Sequence, residues 1–384
     1  MREQLSAAVE NAFKDRFGGR PEAVINAPGR VNLIGEHTDY SEGFVMPMAI
    51  NRGISIAASP RQDSRLRVFS IDFDEMLDVR LDDLQKSSPG WQEYIKGVAW
   101  VMQRGGQSLC GWDGVMAGDV PIGAGLSSSA AVEIASAFAF NLFTDIQKSR
   151  VELASAAQKA ERVWVGVQVG IMDQLISAVG KKGHAVRIDC RTLEYKYVQI
   201  PREARFVVLD TGTRRELSNS AYNERREECE QAAQVLGVNT LRDATLIMLT
   251  VLQNEMNAIV YKRARHVISE NKRVHDFAAA MRDTDFARMG ALLNQSHASL
   301  RDDFEVSSTE LDLIVEIALR QPGCFGARMT GAGFGGCALA LIKKNAEKNF
   351  IESVRQEYSQ ITQIDPSIFS VAAEDGVSSE KVET

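Results

Sequence analysis

Residues 28–40 of this 384-residue sequence read Pro-Gly-Arg-Val-Asn-Leu-Ile-Gly-Glu-His-Thr-Asp-Tyr. The segment has turn-forming residues on both sides and brings together a guanidinium, two carboxylates and an imidazole: Arg30, Glu36, His37 and Asp39. Such groups are costly to bury unless they are paired, so a solvated surface loop is one interpretation. The other is a polyol site, in which the carboxylates accept sugar hydroxyls and Arg30 faces developing negative charge.

A glycine-rich stretch, Pro-Ile-Gly-Ala-Gly-Leu-Ser-Ser-Ser-Ala-Ala, occupies residues 121–131 and runs into a predicted helix over 127–143. Gly123 and Gly125 allow the backbone to approach a ligand closely, and a helix N-terminus offers unpaired N–H groups that suit phosphate. The serines at 127–129 can act as helix caps, phosphate donors or metal ligands. The G-x-x-x-x-G-K-[ST] pattern does not occur here, so a nucleotide bound at this loop would lack the Walker lysine.

A second glycine-rich loop, residues 331–336, matches G-x-G-x-x-G literally. A dinucleotide site would need a strand before the loop, a helix after it and an acidic residue ~20 positions further on. The following residues, CALALI, have a strand pattern instead. The sequence therefore favours a hairpin turn or a loop packed near a ligand over an oxidoreductase.

A third segment, residues 161–174, begins with Glu161 and ends with Asp173 and Gln174 after an apolar run. An aspartate inside such a run is unusual. Either Asp173 caps the helix that QLISAV begins, or it acts on a substrate, and these residues alone weigh both interpretations equally.

Composition indicates an ordinary globular protein, with 45% hydrophobic residues, 25% charged residues and a formal net charge of −7. The negative charge is spread along the chain, which argues against a nucleic-acid binder with a basic patch. The five cysteines show no C-x-x-C spacing, so neither a disulfide framework nor a zinc site is indicated. His184, His266 and His275 lie apart, and we expect them to be structural or at the surface. We find no signal-peptide pattern and no apolar run of ~20 residues, and expect a cytoplasmic protein that contacts no membrane.

The order of predicted elements favours an α+β fold. Residues 3–17 have apolar positions at helical spacing and predict an opening helix. Short strand patterns follow over residues 24–82, among them GFVMPMAI and GISIAAS. A helix is predicted at about 150–165, and helices dominate residues 221–320. Strands early and helices later, without βαβα alternation, argue against a doubly wound sheet. We place two domains at about 1–200 and 201–384.

Taken together, these segments resemble a known family. Residues 28–40 are similar to the galactokinase signature, and PIGAGLSSSAA and RMTGAGFGGC resemble the second and third motifs of the wider GHMP kinase superfamily. Further stretches that resemble galactokinases are GFVMPMAI, VGIMDQLIS, the IDCR of residues 188–191, SAYNERREECE and SHASLRDDFEVS. The matches are long, occur in order and run from about residue 24 to 340.

The resemblance implies a two-domain GHMP kinase fold of the α+β class, with the active site in the cleft between the domains. It also implies transfer of the γ-phosphoryl group of ATP to the C1 hydroxyl of α-D-galactose, with Mg²⁺ as cofactor. The product would be galactose 1-phosphate, and the reaction the first committed step of galactose catabolism by the Leloir pathway.

Position by position, the resemblance implies a sugar site, a catalytic pair, a phosphate loop and a metal site. The sugar-binding residues would be Glu36, His37, Asp39, Gly170, Asp173 and Tyr222. Asp173 would be the catalytic aspartate, with Arg30 beside it near the transferred phosphoryl group. The ATP phosphates would be wrapped by Gly123, Gly125, Leu126, Ser127, Ser128 and Ser129. Ser129 and Glu161 would hold Mg²⁺, and Trp91, in WQEYIKGV, would contribute to the adenine pocket.

Two positions near the sugar depart from the family pattern. Position 169 is Val where Cys is common, and Ala221 precedes Tyr222 where Glu is common. These departures leave the exact sugar preference open, and a kinase for N-acetylgalactosamine is one alternative. A galactose sensor without catalysis is another, although such sensors lack the Ser-Ala pair that this chain retains at Ser129 and Ala130. As partners we expect galactose and ATP but no nucleic acid, and we expect a monomer or a weak homo-oligomer.

Overall fold

The chain folds around two β-sheets, and the computed structural model describes residues 2–121, 123–145, 147–214 and 218–382. Within these residues the strands are β1 Ala23–Ile34, β2 Phe44–Pro60, β3 Arg65–Ser70, β4 Glu75–Arg80, β5 Trp112–Gly118, β6 His184–Asp189, β7 Tyr195–Gln199, β8 Ala204–Asp210, β9 Cys324–Thr330, β10 Cys337–Lys343, β11 Ser367–Val371 and β12 Ser378–Lys381. The helices are α1 Arg2–Phe17, α2 Trp91–Arg104, α3 Ser128–Leu142, α4 Arg150–Ala160, α5 Met172–Val179, α6 Ser218–Leu236, α7 Leu246–Val251, α8 Ala258–Arg282, α9 Phe286–Asp302, α10 Thr309–Arg320 and α11 Glu347–Thr362.

The first sheet has the strand order β12-β1-β2-β5-β3-β4, and β6 pairs with β2 and with β7. Its longest pairing is antiparallel, between β1 and β2, and runs from Ala23 opposite Ala58 to Ile34 opposite Met46. Residues 28–34, expected to follow a turn, continue β1 because register shifts at Pro28/Arg30 and Asn32/Ile34 absorb the irregular backbone. Arg30 therefore lies within a buried strand, and the turn that begins at Gly35 follows directly from its end.

The second sheet has the order β11-β8-β10-β9, and all of its neighbouring strands are antiparallel. Residues 331–336 connect β9 to β10, which pair with Cys337 opposite Thr330. The glycine-rich loop is therefore a hairpin connection, as predicted, and does not lead into a helix as a dinucleotide fingerprint requires.

The α+β prediction is confirmed, while the structure corrects several element boundaries. The two strands expected at GFVMPMAI and GISIAAS are one continuous strand, β2. The helix expected to run to residue 165 ends at Ala160 and continues as a π-helical turn over Glu161–Val165. The strands change sheet between Gln199 and Ala204, next to the expected domain boundary, but β12 brings the end of the chain back to β1.

Four apolar cores form among the described residues, and the smallest packs α1 against the first sheet. One lies under the first sheet with α2 to α5, and one lies between the second sheet and α6, α8, α10 and α11. The third contains Val31 and Met46 of the first sheet together with Phe206 and Leu339 of the second. This third core packs the two sheets against each other and fixes the cleft that separates their loops. No helix in the described part of the chain is long and apolar enough to cross a membrane.

The contact between α9 and β9 predicts the effect of one substitution on stability. A Cβ at Gly290 would lie 1.9 Å from the carbonyl oxygen of Phe325. Alanine is the better helix former by ~1 kcal/mol, but the clash is with backbone, which cannot rotate away. We expect Gly290→Ala to lower the free energy of unfolding by about 1–3 kcal/mol in urea titrations followed by circular dichroism. Gly19→Ala, at a glycine with open space around it, is the matched control, and equal stability of the two variants would contradict the prediction.

Candidate active site

An ion pair between buried Arg30 and partly exposed Asp173 joins β1 to α5. Arg30 donates from Nε to Oδ1 of Asp173 at 2.9 Å and from Nη2 to Oδ2 at 2.8 Å. Its Nη1 donates to the Gly125 carbonyl, and the Ser127 hydroxyl donates to Asp173 Oδ2. Asp173 lies inside the first turn of α5, after the N-cap residue Ile171, so the helix-cap interpretation is wrong. The Asp173 carboxylate instead lines a cleft, paired with Arg30 and Ser127.

The glycine-rich loop before α3 has the backbone conformation of an anion site. Gly123 and Gly125 have φ of 70° and 75°, in the left-handed region that glycine adopts without strain. Ser127 has φ of 60° and immediately precedes α3. The free N–H groups and partial positive charge at a helix N-terminus favour phosphate here.

Glu36 and Arg328 form a second ion pair, which is buried and links the two sheets. Arg328 donates from Nη2 to Glu36 Oε2 at 2.7 Å, and from Nη1 to the carbonyls of Asn32 and Leu33. The side chain of Arg328 is 0% exposed and that of Glu36 is 3% exposed. The surface-loop interpretation of residues 28–40 is therefore wrong, because Arg30 and Glu36 are buried and paired.

His37 is neutral and held by two protein partners. Burial, with a smaller contribution from His266, lowers its pKa to about 3. Its Nε2 lies 3.1 Å from the Ala332 carbonyl, which can only accept, so Nε2 carries the proton and donates. Nδ1 then accepts from the Tyr40 hydroxyl at 3.1 Å. The Tyr222 ring lies 5.5 Å from the imidazole and completes this wall of the cleft.

Asp39 and Gly170 are in contact at the floor of the same cleft. A Cβ at Gly170 would lie 1.8 Å from Asp39 Oδ2, so this position accommodates glycine alone. Burial, together with the charges of Asp173 and Glu36, raises the pKa of Asp39 to about 7. The site thus holds a carboxylate whose charge is poorly compensated until a ligand supplies hydrogen-bond donors.

A buried amide bridges two further carboxylates. Gln174 Nε2 donates to Glu161 Oε2 at 2.7 Å and to Glu133 Oε2 at 3.0 Å. Burial and the charge of Asp173 raise the pKa of Glu161 to about 7, and burial raises that of Glu133 as well. A cation placed beside them would offset this excess of negative charge.

Ser129 and Glu161 line the cleft and are the predicted Mg²⁺ ligands. Their oxygen atoms are the donors that Mg²⁺ prefers, so the side chains present fit this ion. Over residues 2–121, 123–145, 147–214 and 218–382, no group of three or more His, Cys, Asp or Glu side chains forms a metal cluster. A cation held here would therefore take most of its coordination from phosphate oxygens and water.

These residues share one cavity of about 300 Å³. Its lining consists of Arg30, Glu36, His37, Asp39, Tyr94, Gly123, Gly125, Leu126, Ser127, Ser128, Ser129, Glu161, Val167, Val169, Gly170, Met172, Asp173, Tyr222, Gly331 and Ala332. Elements of both sheets contribute, so the cleft expected between the domains is present. A cluster of acidic side chains that suits a polyol and a glycine-rich loop that suits phosphate (the phosphate-type loop) both line this cavity.

Comparison with known proteins identifies the family. The protein-family model of the galactokinase galactose-binding signature matches residues 11–60, and those of the N-terminal and C-terminal GHMP kinase domains match 93–181 and 277–360. A galactokinase of Roseiflexus sp. is 44% identical over 374 residues, which is 96% of each chain. The chain belongs to the galactokinase family. A galactokinase of Actinobacillus succinogenes is 40% identical over 95% of this chain and 97% of its own.

Solved structures agree with the galactokinase assignment. The chain is similar to the crystal structure of Lactococcus lactis galactokinase complexed with galactose, with a TM-score of 0.93, 34% identity and coverage of 98% and 99% of the two chains. A mevalonate kinase from Methanococcus jannaschii has a TM-score of 0.64 and 20% identity over 92% of this chain and 98% of its own. The second likeness shows the shared GHMP kinase fold.

One residue implied by the galactokinase resemblance does not line the cavity. Trp91 begins α2, its Nε1 donates to Glu75 at 3.1 Å, and its ring stacks on Phe73 at 6.3 Å. Tyr94, one helical turn further along α2, lines the cavity. The adenine role of Trp91 stays a prediction.

Sequence reasoning missed several residues of this galactokinase site. Arg328 had a usable signal, because it is the first residue of the third motif, RMTGAGFGGC. Glu133 had another, since a carboxylate inside the apolar helix α3 is costly to bury without a purpose. His266 was expected to be structural or at the surface, whereas it is fully buried and its Nε2 lies 3.0 Å from the Glu36 carbonyl. Nothing in the local pattern around His266 indicates that contact.

The raised pKa of Asp39 predicts how its replacement changes stability with pH. An acid whose pKa is about 7 when folded and ordinary when unfolded destabilises the fold increasingly from about pH 4 to pH 7. Asp39→Asn removes this penalty and keeps an oxygen for the Tyr40 N–H, which donates at 3.0 Å. We expect the variant's unfolding free energy, relative to the wild type, to rise by about 2–3 kcal/mol between pH 5 and pH 8. Urea titrations at both pH values measure it.

The control for this prediction is Asp283→Asn, at an exposed carboxyl just after α8. Its difference from the wild type should be the same at pH 5 and pH 8. A relative stability of Asp39→Asn that stays constant or falls with rising pH would show that the Asp39 charge is not penalised in the fold.

Proposed function

We propose that this protein transfers the γ-phosphoryl group of ATP to the C1 hydroxyl of α-D-galactose, forming galactose 1-phosphate and ADP. The observation that carries the proposal is the position of Asp173 between two kinds of subsite. Asp173 contacts the phosphate-type loop through Ser127. It also lies close enough to Asp39 to raise the pKa of that carboxyl. Asp39 and Glu36 together form the acidic subsite. A nucleophile bound at one subsite would therefore meet phosphate bound at the other.

The acidic subsite suits a sugar with several hydroxyl groups. Glu36 and Asp39 present carboxylate oxygens that accept hydroxyl hydrogens, and Gly170 leaves room for the Asp39 carboxylate. Tyr222 offers an aromatic wall and a hydroxyl. His37 already has Tyr40 and Ala332 as partners, so a sugar hydroxyl that reaches the imidazole would share or replace the Tyr40 hydrogen bond.

The phosphate-type loop suits ATP. The backbone N–H groups of the loop at 123–129 and the N-terminus of α3 would bind the phosphate chain. Ser129 and Glu161 would hold Mg²⁺, which when bound neutralises charge on the phosphate oxygens. The chain's own contribution is to hold these groups at fixed positions, because phosphoryl transfer depends on alignment and charge neutralisation more than on covalent catalysis.

Asp173 and Arg30 would act on the reacting atoms. Asp173 would accept a hydrogen bond from the C1 hydroxyl, orient its oxygen towards the γ-phosphorus and accept the proton as the new O–P bond forms. Arg30 fixes the carboxylate through two hydrogen bonds and places positive charge beside the transferred group. The bond between the γ-phosphorus and the β–γ bridging oxygen breaks, and ADP leaves.

An ADP-release assay with ATP and Mg²⁺ tests the proposal on galactose, N-acetylgalactosamine, glucose, galactosamine, mevalonate and homoserine. Turnover on galactose that EDTA abolishes supports it. Turnover on N-acetylgalactosamine alone would show that the substrate is this acetamido sugar and not galactose. No ADP release with any of these compounds, while galactose still raises the melting temperature, would indicate a galactose sensor. Turnover on mevalonate or homoserine would show that the substrate is not a sugar.

Two substitutions test the catalytic assignment. We expect Asp173→Asn and Arg30→Ala each to lower kcat by ~10²–10⁴-fold, since each removes a group that contacts the reacting atoms. ATP affinity, measured by calorimetry, should stay close to that of the wild type in Asp173→Asn, whereas Arg30→Ala also loses the hydrogen bond to the Gly125 carbonyl and should bind ATP more weakly. Asp283→Asn serves again as the matched carboxyl control and should keep full turnover. A kcat near that of the wild type in Asp173→Asn would rule out the catalytic assignment.

A further inference from the structure

The turn that carries Glu36 and His37 is held from behind by a helix of the second half of the chain. Glu270 of α8 is fully buried, and its Oε1 accepts the N–H of Gly35 at 2.9 Å and that of Glu36 at 3.4 Å. Ser296 donates its hydroxyl to the same oxygen at 2.7 Å. A carboxylate that accepts two consecutive backbone N–H groups fixes both the position and the direction of the chain between them.

The remaining oxygen of this carboxylate is also satisfied. Arg273 Nε donates to Glu270 Oε2 at 2.6 Å. Burial would raise the pKa of Glu270, but the positive charge of Arg273 and its other neighbours lower it to about 2. Glu270 is therefore ionised, and its hydrogen bonds to the turn are charge-assisted.

His266, one helical turn before Glu270, holds the next peptide group of the same turn. Its Nε2 lies 3.0 Å from the Glu36 carbonyl, so this nitrogen carries the proton and donates. Nδ1 then accepts from the Ser299 hydroxyl at 2.8 Å. Burial lowers the pKa of His266 to about 4, which keeps the imidazole neutral. The N–H and the C=O of Glu36 are thus both bound by α8.

The backbone at Gly35 shows how closely α8 approaches the turn. A Cβ there would lie 2.8 Å from Val274 Cγ2 of α8 and 2.7 Å from the Phe44 carbonyl, and Gly35 has φ of 93°. At the other end of the turn, Asn271 Oδ1 accepts the N–H of Phe44 at 2.8 Å. The turn is clamped by one helix face at both of its ends.

We propose that Glu270 and His266 are positioning residues for the sugar subsite, which set galactose affinity by fixing the main chain of residues 35–37. This inference rests on the proposed function, because it assigns the turn to galactose. Neither side chain lines the cavity, so each acts through the turn. His37 adopts a left-handed φ of 60°, which a non-glycine residue keeps only where its surroundings determine it. The hydrogen bond from His266 of α8 to the Glu36 carbonyl fixes the peptide group immediately before His37.

The experiment measures galactose and ATP affinity separately by calorimetry, together with both KM values and kcat. Glu270→Gln places an amide N–H or a weaker acceptor against the turn, and we expect it to raise the Kd for galactose about tenfold. The Kd for ATP should change less than twofold, and kcat at saturating galactose less than threefold. A residue that merely supports the fold would instead weaken both ligands together.

His266 allows a test by conservative rescue. His266→Ala leaves the Glu36 carbonyl without its donor and should weaken galactose binding several-fold. In His266→Gln the side-chain N–H₂ occupies the place of Nε2, so galactose affinity should recover to within about twofold of the wild type. Asp276→Asn, which removes an α8 carboxylate that pairs with Lys272 and Arg288, is the control and should leave both affinities unchanged.

Ser296→Ala is measured in parallel, because it removes one hydrogen bond to Glu270 and keeps the proposal testable if Glu270→Gln does not fold. Weaker galactose binding with unchanged ATP binding supports the proposal. Galactose affinity within twofold of the wild type in Glu270→Gln, Ser296→Ala and His266→Ala, or equal loss for galactose and ATP in these three variants, overturns it. Absence of galactose binding by the wild-type protein would instead refute the proposed function, and the two failures are therefore distinct.

Discussion

A guanidinium with five N–H donors can hold several chain segments at once, and Arg30 does so at the centre of this molecule. Its side chain binds both oxygens of Asp173 and the carbonyl of Gly125, while its own backbone N–H donates to the Leu126 carbonyl at 3.1 Å. β1, the glycine-rich loop and α5 therefore meet at one buried cation. The shape of the loop and the direction of the Asp173 carboxylate cannot be set independently, because the same side chain holds both.

Around this cation the cleft holds more buried negative than positive charge. Arg30 and Arg328 each compensate one carboxylate, those of Asp173 and Glu36. The carboxyls left without a cationic partner are those whose pKa values rise: Asp39, Glu133 and Glu161. The fold thus carries an electrostatic cost that bound donors or a cation would relieve. Such a cost is expected where binding, and not stability alone, has shaped the interior.

The features that the sequence predicted are those encoded by neighbouring residues. The glycine-rich loop that leads into an apolar helix and the glycine-rich hairpin before β10 are local patterns, and each lies where it was expected. The π-helical turn at Glu161–Val165 was not predicted, because the apolar spacing of α4 continues through it. β12 was missed because Ser378–Lys381 is short and charged, and pairs only through β1. Contacts such as that of His266 with the turn need the tertiary structure, since more than 200 residues separate them.

The hairpin loop at 331–336 explains why two distant motifs must meet. A Cβ at Gly331 would lie 3.0 Å from the Gly125 carbonyl, so this loop packs directly on the phosphate-type loop. The carbonyl of the next residue, Ala332, accepts a hydrogen bond from His37 Nε2 and thereby fixes the tautomer of that imidazole. Gly333 passes so close to Val306 that a Cβ would lie 2.2 Å from its carbonyl. The glycines are needed for this tight fit between the two subsites, and the literal dinucleotide pattern arises from packing. A shift of the hairpin would move both the phosphate-type loop and His37.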